Sequence, residues 1–310
     1  MFRYRVYGLH ITSSVAIDGL VSADHADVDC ELRVGPVEML PREDAIVLDT
    51  SPLIEEGEPG TRIERSRTEP GTFVFEFLDG TRFRIDGSGR RITAHFATST
   101  REDMASYLLG PILAFIVRLR GGLALHAGAV ALDGHALLIT GVAGAGKSTT
   151  TAAFLRRGAA LLTDDVSVID WDGDPPRVFP GYPRVRLWED SAASLYGSSE
   201  ALPLLTPTWS KRFVDARRQF ATGTVPIRAI VVLAPRHDAP PRTRRLSGHE
   251  AAMALLVRTS MTHLLTAEQR KAELEQVTRL AERVPILEVT PRNDLGATGE
   301  LVDAISAAIL

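Results

Sequence analysis

The sequence predicts a mixed α/β protein, with a β-rich N-terminal region followed by a domain in which strands and helices alternate. Three observations support this fold class. Short runs of strand-forming residues, separated by glycine-containing turns, fill the N-terminal third of the chain. In the remainder, short apolar runs alternate with segments that have helical periodicity. A glycine-rich segment joins one of these apolar runs to a helix.

The composition is that of an ordinary globular protein of about two domains. The chain has 310 residues, of which 45% are hydrophobic and 24% are charged. Its formal net charge of −4 gives no general attraction to nucleic acid or to an anionic membrane, so we expect neither as a partner. The most apolar run, residues 108–117, is too short to span a bilayer. Cys30 has no cysteine to pair with, and we expect a cytoplasmic protein.

The N-terminal region predicts a β-meander followed by a helix. Strands are expected at residues 3–11, 27–34, 73–77, 81–85 and 91–96. Asp-Gly and Gly-Ser-Gly turns separate the last three, while residues 51–70 are rich in Glu, Pro, Gly and Arg and predict a surface loop. Residues 101–120 have apolar side chains at helical spacing. This helix connects a predicted domain at 1–100 to a second domain at 121–310.

The second domain begins with a predicted β-hairpin. The apolar runs 123–132 and 136–140 are joined by Asp133-Gly134, a favourable turn sequence. Further strands are expected at residues 160–163, 166–170, 226–233 and 286–290. Helices are expected at residues 147–157, 248–259, 267–283 and 299–310.

The segment Gly141–Ser148, GVAGAGKS, has the G-x-x-x-x-G-K-[ST] pattern of a phosphate-binding loop. Its glycines let backbone N–H groups turn toward phosphate oxygens, and the following helix adds the positive end of its dipole. The alternative is a glycine-rich turn without a ligand. We expect ATP and Mg²⁺ here, with Lys147 reaching the β- and γ-phosphates and the Ser148 hydroxyl holding the metal. The expected nucleotide-binding residues are Gly141, Gly144, Ala145, Gly146, Lys147, Ser148 and Thr149.

Two further signals flank this loop. Asp164-Asp165 ends a predicted strand 17 residues after Lys147, and such carboxylates act as a metal ligand, a base for an attacking hydroxyl, or both. A simple Asp-Asp turn is the alternative. His126 precedes Lys147 by 21 residues, and the hairpin is expected to bring it toward the γ-phosphate. A histidine in a strand is otherwise most often a structural core or edge residue.

Together these signals resemble the HPr kinase/phosphorylase family and the smaller kinases related to it. Its members have a histidine, a hairpin, a loop ending in Gly-Lys-Ser, a helix ending in Arg-Gly and a strand ending in Asp-Asp. Here these are His126, Gly141–Ser148, Arg157-Gly158 and Asp164-Asp165. The match covers residues 126–165, and the chain also resembles divergent kinases of ribosomal-peptide pathways, including lasso-peptide kinases.

The resemblance implies a fold similar to the nucleotide domain of phosphoenolpyruvate carboxykinase. It also implies an ATP- and Mg²⁺-dependent serine kinase that acts on a protein or peptide, and it suggests homo-oligomers. By this resemblance, Asp164 is the catalytic base, Asp165 helps to hold Mg²⁺, and His126 and Lys147 lie near the transferred phosphoryl group. Thr149 stands where the family often has Glu, and the family's Glu-Ile-Arg-Gly stretch has its nearest counterpart at residues 182–187. Phosphorolysis of phosphoserine therefore stays open.

Phosphoryl transfer also needs positive charge around the phosphoryl oxygens. The candidates are Arg184, Arg186, Lys211 and Arg212, in residues 179–188 and 207–213, which predict loops. Solvated surface charge is the alternative for each of them. Two other functions stay open: a small-molecule or carboxykinase-like phosphotransferase, and a nucleotide-sensing module that transfers no phosphate.

Overall fold

The computed structural model describes residues 1–51 and 60–309. The chain divides into two compact units. The first comprises Met1–Arg120 and Leu205–Ser210, and the second comprises Gly121–Leu204 and Lys211–Leu310. Both contain strands and helices or helical turns, so the predicted mixed α/β class is confirmed. Within the described ranges, no helix combines the length and the apolar character needed to cross a membrane.

The first unit is built on one sheet. Its described strands, in spatial order, run β1-β2-β3-β8-β7-β6-β5-β4. Strands β4 to β8 are successive antiparallel neighbours, and β3 pairs in parallel with both β2 and β8. The strands are β1 Phe2–Val6, β2 Leu9–Ser13, β3 Cys30–Val34, β4 Ala45–Ser51, β5 Thr61–Ser66, β6 Phe73–Phe77, β7 Arg82–Ile85 and β8 Arg91–His95.

Two strand predictions need correction. The single strand expected at residues 3–11 is a hairpin, because Tyr7 and Gly8 adopt positive φ angles of 56° and 77°. The loop expected at residues 51–70 contains the whole of strand β5, whose charged sequence concealed it. There Glu64 is buried and pairs with Arg62 at 2.6 Å. Residues 52–59 of that predicted loop lie outside the described residues.

The helix predicted at residues 101–120 consists of three pieces. Helix α1 (Arg101–Tyr107) and helix α2 (Leu113–Leu119) are joined by a π-helical turn that contains Pro111. Proline has no N–H group to donate to the preceding turn, and the wider turn accommodates it. Phe115 of α2 packs against Phe73 and Phe75 of β6, with ring centroids 4.8 and 5.3 Å apart.

The second unit alternates strands and helices around another sheet. Its strands are β9 Ala124–Leu132, β10 His135–Gly141, β11 Ala160–Thr163, β12 Val166–Asp170, β13 Arg177–Val178, β14 Arg184–Leu187, β15 Arg212–Asp215, β16 Val225–Leu233, β17 Arg242–Leu246 and β18 Ile286–Thr290. Its helices are α3 Lys147–Arg156, α4 Glu189–Tyr196, α5 Gly248–Leu256, α6 Ala267–Arg283 and α7 Thr298–Ile309. The predicted hairpin is formed by β9 and β10.

This sheet is covered on both faces. Leu137 and Ile139 of β10 pack into one cluster with α3, α4 and α7, while Ala136 and Leu138 pack into another with α5 and α6. Because successive side chains of a strand point to opposite faces, a strand buried on both sides is apolar throughout. That continuous apolar pattern is the one that made β10 predictable.

The strand directions bring several chain segments to one edge of the sheet. Strands β10, β16 and β18 are parallel, and Gly141 lies opposite Leu233, which lies opposite Val289. Strands β10 and β11 are both antiparallel to β9, so β11 runs in the same direction as β10. The segments that follow β10, β11, β16 and β18 therefore all leave the sheet at its carboxyl edge.

Cys30 offers a test of the first unit. Its side chain is fully buried, Sγ donates a hydrogen bond to the Gly89 carbonyl at 3.1 Å, and burial raises the pKa of the thiol to about 12. The thiolate is the reactive form, so we expect the folded protein to resist thiol reagents at about pH 8. Unfolding in denaturant should make the same thiol react stoichiometrically, which serves as the control. Rapid labelling of the native protein would contradict the packing of β3.

Candidate functional site

The glycine-rich loop connects β10 to α3. Gly144 and Gly146 adopt left-handed φ angles of 72° and 100°, which explains the need for glycine at both positions. The Ala145 amide donates to the Val142 carbonyl at 3.1 Å, and the Thr150 amide donates to the Gly146 carbonyl at 2.8 Å. The first N–H groups of a helix have no acceptor within that helix. The start of α3 therefore provides donors and a positive dipole end at the loop.

Lys147 folds back over this loop. Its side chain is buried, and Nζ donates to the carbonyl oxygens of Gly141 at 3.1 Å and Val142 at 3.2 Å. The ammonium group is thus held beside the loop backbone. Thr149, another predicted binding residue, donates its hydroxyl to Ser191 Oγ at 2.9 Å. That hydroxyl anchors α3 to α4.

A close contact positions α3 against β9. A Cβ atom on Gly128 would lie 2.4 Å from Thr151 Oγ1 and 3.1 Å from the Asp164 carbonyl oxygen. Only glycine leaves room for the helix at this point. A glycine inside a strand is a recognised sign of such close approach, so the sequence carried a signal for it.

The two predicted acids occupy different environments. Asp164 is 2% exposed, its Oδ2 accepts a hydrogen bond from the Arg186 amide at 2.8 Å, and its Oδ1 has no hydrogen-bond partner among the described residues. Burial raises the pKa of Asp164 to about 6, against the opposing effects of the Arg186 charge and the Ser148 hydroxyl. Asp164 can therefore exchange a proton near neutral pH.

Asp165 is strongly held as a carboxylate. Burial acts to raise its pKa, but the Arg186 guanidinium and a hydrogen bond from His126 outweigh burial and hold the pKa of Asp165 well below its usual value. Its carboxylate forms an ion pair with Arg186, and its Oδ1 lies 3.1 Å from His126 Nδ1. The neighbouring acids thus divide into one that stays charged and one that titrates.

His126 lies on β9, beside the end of β10 that leads into the glycine loop. Ala127 is paired with Thr140, the residue before the glycine loop, and Thr140 Oγ1 donates to the His126 carbonyl at 2.8 Å. The His126 side chain is 43% exposed and contacts Asp165. The structure therefore brings this histidine to the acid pair.

Three of the four predicted basic residues lie on paired strands, Arg184 and Arg186 on β14 and Arg212 on β15, while Lys211 precedes β15. Strands β14 and β15 pair antiparallel, which corrects the loop prediction for residues 184–187 and 212–213. Val185 and Leu187 are buried and alternate with Arg184 and Arg186. This alternation was visible in the sequence, but the surrounding prolines and arginines favoured a loop.

The paired strands β14 and β15 place these basic residues on different faces. Arg184 and Arg186 share one face; Arg186 contacts the acids, and Arg184 lies over the Phe213 ring at 4.3 Å. Lys211 Nζ lies 4.4 Å from the Trp188 ring centroid, and its charge helps to lower the pKa of Asp165. Arg212 pairs with Leu187, so it belongs to the opposite face. It donates to Glu189 Oε1 at 3.2 Å and to the Leu202 carbonyl at 3.3 Å.

Two residues of this site were missed by sequence reasoning. Arg236 follows β16, and its Nη2 lies 3.0 Å from the position of a Cβ on Gly146. Tyr182 is buried beside the acids, and burial raises the pKa of its hydroxyl to about 12, so it stays neutral. The parallel direction of β10 and β16 would have indicated Arg236, but strand pairing is not visible in one sequence.

The donors at this edge suit a hard cation. Among the described residues, no group of three or more His, Cys, Asp or Glu side chains is arranged to hold a metal ion. The available donors are the Ser148 hydroxyl and the carboxylates of Asp164 and Asp165, with one oxygen of Asp164 unpartnered among described residues. Mg²⁺ takes oxygen ligands, keeps several waters and uses few protein groups, so these residues fit it in company with phosphate.

Comparisons with known proteins add little to what this geometry shows. No protein-family model matches the chain, and no curated protein matches it. Among solved structures, the HPr(Ser) kinase/phosphatase from Coxiella burnetii is similar over 60% of this chain and 96% of that chain. The two are 16% identical, with a TM-score of 0.30. A likeness this weak supports no inference about fold or activity.

The Gly128 contact predicts a steric effect. We expect Gly128→Ala to lower the free energy of unfolding by roughly 1–3 kcal/mol, because the new methyl group collides with Thr151. Thr151→Ala in the same chain should recover part of the loss by removing the hydroxyl. Gly223→Ala is the matched control, since a Cβ there meets open space. Denaturant unfolding measures all four proteins, and equal stability of Gly128→Ala and the wild type would contradict the contact.

Proposed function

We propose that this protein is an ATP- and Mg²⁺-dependent kinase that transfers the γ-phosphate to a serine hydroxyl of a protein or peptide. One observation carries the proposal. The glycine loop with Lys147 and the unequal acid pair, Asp164 and Asp165, meet at the same edge of one sheet. A phosphate site, a carboxylate that can hold a metal and a carboxylate that can accept the hydroxyl proton are parts that recur in kinases.

The loop provides the phosphate site. Amide donors at the start of α3 and the buried ammonium group of Lys147 would contact the phosphate oxygens. Lys147 Nζ is held by two neutral carbonyl oxygens, of Gly141 and Val142. An anionic phosphate is a stronger acceptor than a carbonyl, so we expect the ammonium group to turn from the loop toward bound nucleotide.

Ser148 and Asp165 would hold Mg²⁺. The ion would neutralise charge on the phosphate oxygens and orient the γ-phosphate for attack. Asp165 suits this role because Arg186 and His126 keep its carboxylate ionised. The Ser148 hydroxyl interacts with the Asp164 carboxylate, so it lies beside the acid pair, where a metal ligand would be needed.

Asp164 is the proposed base. The Arg186 amide fixes Oδ2, while Oδ1 has no hydrogen-bond partner among the described residues. As the serine oxygen bonds to the γ-phosphorus and the bond to the β-phosphate oxygen breaks, Oδ1 takes the serine proton and ADP leaves. A pKa of about 6 keeps this carboxylate mostly ionised at neutral pH and still basic enough to help.

Residues on and beside strands β14 and β15 would provide positive charge for the phosphoryl group and a surface for the acceptor. Arg186, which is largely buried, and Lys211 would stabilise negative charge on the transferred phosphoryl group. His126 would lie beside the same group through its contact with Asp165. Trp188 is 39% exposed next to Lys211 and gives a polypeptide acceptor an aromatic surface. The serine acceptor itself, and assembly into homo-oligomers, rest on the motif resemblance and stay predictions.

A nucleotide-sensing module without transfer fits the site less well. Binding alone requires the loop and one metal ligand, and it gives no reason to bury a second carboxylate with an unpartnered oxygen. A small-molecule acceptor would use the same chemistry, so a panel of acceptors distinguishes it.

Transfer of label from radiolabelled ATP to serine-bearing peptides tests the proposal. Asp164→Asn should lower kcat by roughly 10²- to 10⁴-fold with little change in ATP affinity, because the base is lost but the phosphate site remains. Lys147→Ala should weaken ATP binding and abolish transfer. Lys271→Ala, on the exposed side of α6, is the matched lysine control and should behave as the wild type.

The outcomes separate the alternatives. Label found only on small alcohols or carboxylates would replace the peptide acceptor, and tight ATP binding without any transfer would favour the sensing module. Normal transfer by Asp164→Asn would exclude Asp164 as the base. Mass spectrometry of the acceptor locates the added phosphate.

A further inference from the structure

A cleft with about 320 Å³ of open space adjoins the glycine loop. It lies outside the carboxyl ends of β10, β16 and β18, where ligands of open α/β sheets bind. This volume includes open solvent, so the cleft is a partly open groove and not an enclosed cavity. It suits a ligand part of modest size that is partly open to solvent. Its principal polar lining residues are Thr149, Thr150, Arg236, Arg292 and Asp294.

The cleft is continuous with the phosphate-binding loop. Ala145 and Gly146 of that loop are themselves part of its lining, and the first turn of α3 forms one wall. The segment after β18 forms the opposite wall. Arg236 connects the two regions, since its Nη2 lies 3.0 Å from the position of a Cβ on Gly146. A molecule with phosphates on the loop therefore extends directly into this space.

The lining combines flat, apolar and polar elements. Ala297 and Leu301 are buried and supply apolar surface, while Arg236 and Arg292 supply planar guanidinium groups. Guanidinium groups stack on aromatic rings and apolar side chains cover ring faces. Asp294 adds a carboxylate whose Oδ1 accepts a hydrogen bond from the Gly296 amide at 2.8 Å, which fixes its orientation. Such a lining suits an aromatic heterocycle that carries hydrogen-bond donors.

A second anion fits this cleft less well than a nucleoside. Arg292 lies 3.6 Å from Glu300, so part of its charge is already balanced. The Asp294 carboxylate would repel a phosphate but would accept a hydrogen bond from an amine or a hydroxyl group. Charge therefore favours a neutral ligand part with donors.

We propose that this cleft holds the nucleoside of the nucleotide whose phosphates lie on the Gly141–Ser148 loop. The inference rests on the proposed function for its phosphate site. In it, Arg236 and Arg292 pack against the base or ribose, and Asp294 accepts a hydrogen bond from an exocyclic amine or a ribose hydroxyl. These three residues thus determine how strongly a nucleoside triphosphate is preferred over bare triphosphate.

Calorimetry with two probes, ATP and inorganic tripolyphosphate, tests this inference in the presence of Mg²⁺. The wild type should bind ATP at least roughly tenfold more tightly than tripolyphosphate. Asp294→Asn and Arg292→Ala should each weaken ATP binding by roughly tenfold and leave tripolyphosphate affinity within about twofold. Asparagine keeps an oxygen for the Gly296 amide, so Asp294→Asn is expected to fold. Arg245→Ala, on exposed β17 and outside the lining, is the matched arginine control and should alter neither affinity.

Nucleotide analogues distinguish the two groups that could donate the hydrogen bond to Asp294. If the amine is the donor, inosine triphosphate should bind the wild type more weakly than ATP and lose little further in Asp294→Asn. If a ribose hydroxyl is the donor, deoxyadenosine triphosphate should instead bind the wild type more weakly than ATP and lose little further in Asp294→Asn.

Different results would contradict the nucleoside cleft and the phosphate site. Equal wild-type affinity for ATP and tripolyphosphate, or variants that weaken both probes equally, would overturn the nucleoside cleft and leave the phosphate loop intact. Failure of the wild type to bind either probe would overturn the phosphate site, and the cleft inference with it. Thermal unfolding of each variant identifies any loss of affinity that comes from loss of the fold.

Discussion

The pairing of β9 on both of its edges is the constraint on which the site depends. One edge of β9 pairs with β10, which leads into the glycine loop, and the other pairs with β11 and β12, which flank the two acids. Backbone hydrogen bonds therefore determine how far the loop lies from Asp164 and Asp165. Gly128, in the middle of β9, lets α3 pack closely against this strand.

Electrostatics at this edge follows from placing two carboxylates side by side, Asp164 buried and Asp165 partly buried. Two adjacent like charges with little solvent around them are costly unless a cation compensates them, and Arg186 of β14 supplies that cation. The compensation is unequal: Asp165 also contacts His126, whereas one oxygen of Asp164 has no hydrogen-bond partner among the described residues. With this unequal compensation, the pKa of Asp164 is raised while the pKa of Asp165 is lowered.

The predictable parts of the fold were those with local causes. The hairpin of β9 and β10, helix α3 and strand β11 follow from apolar periodicity and from turn residues such as Asp133-Gly134. Strand β5 escaped prediction because it carries several charged residues, and strands β14 and β15 because they lie among prolines and arginines. Strand β14 is paired with β15, which follows only after helix α4, whereas β5 is paired with its neighbours along the chain, β4 and β6.

The sequence by itself determined the chemical parts of the candidate site: the glycines at 144 and 146, Lys147, Ser148, the Asp164-Asp165 pair and His126. It did so because loop geometry and strand-end chemistry depend on residues close together in the chain. Only the tertiary structure decided which cations meet the acids, and it selected Arg186 while Arg212 lies on the opposite face. It also brought Arg236 and Asp294 to the loop, because parallel strands end at a common edge whatever their separation in sequence.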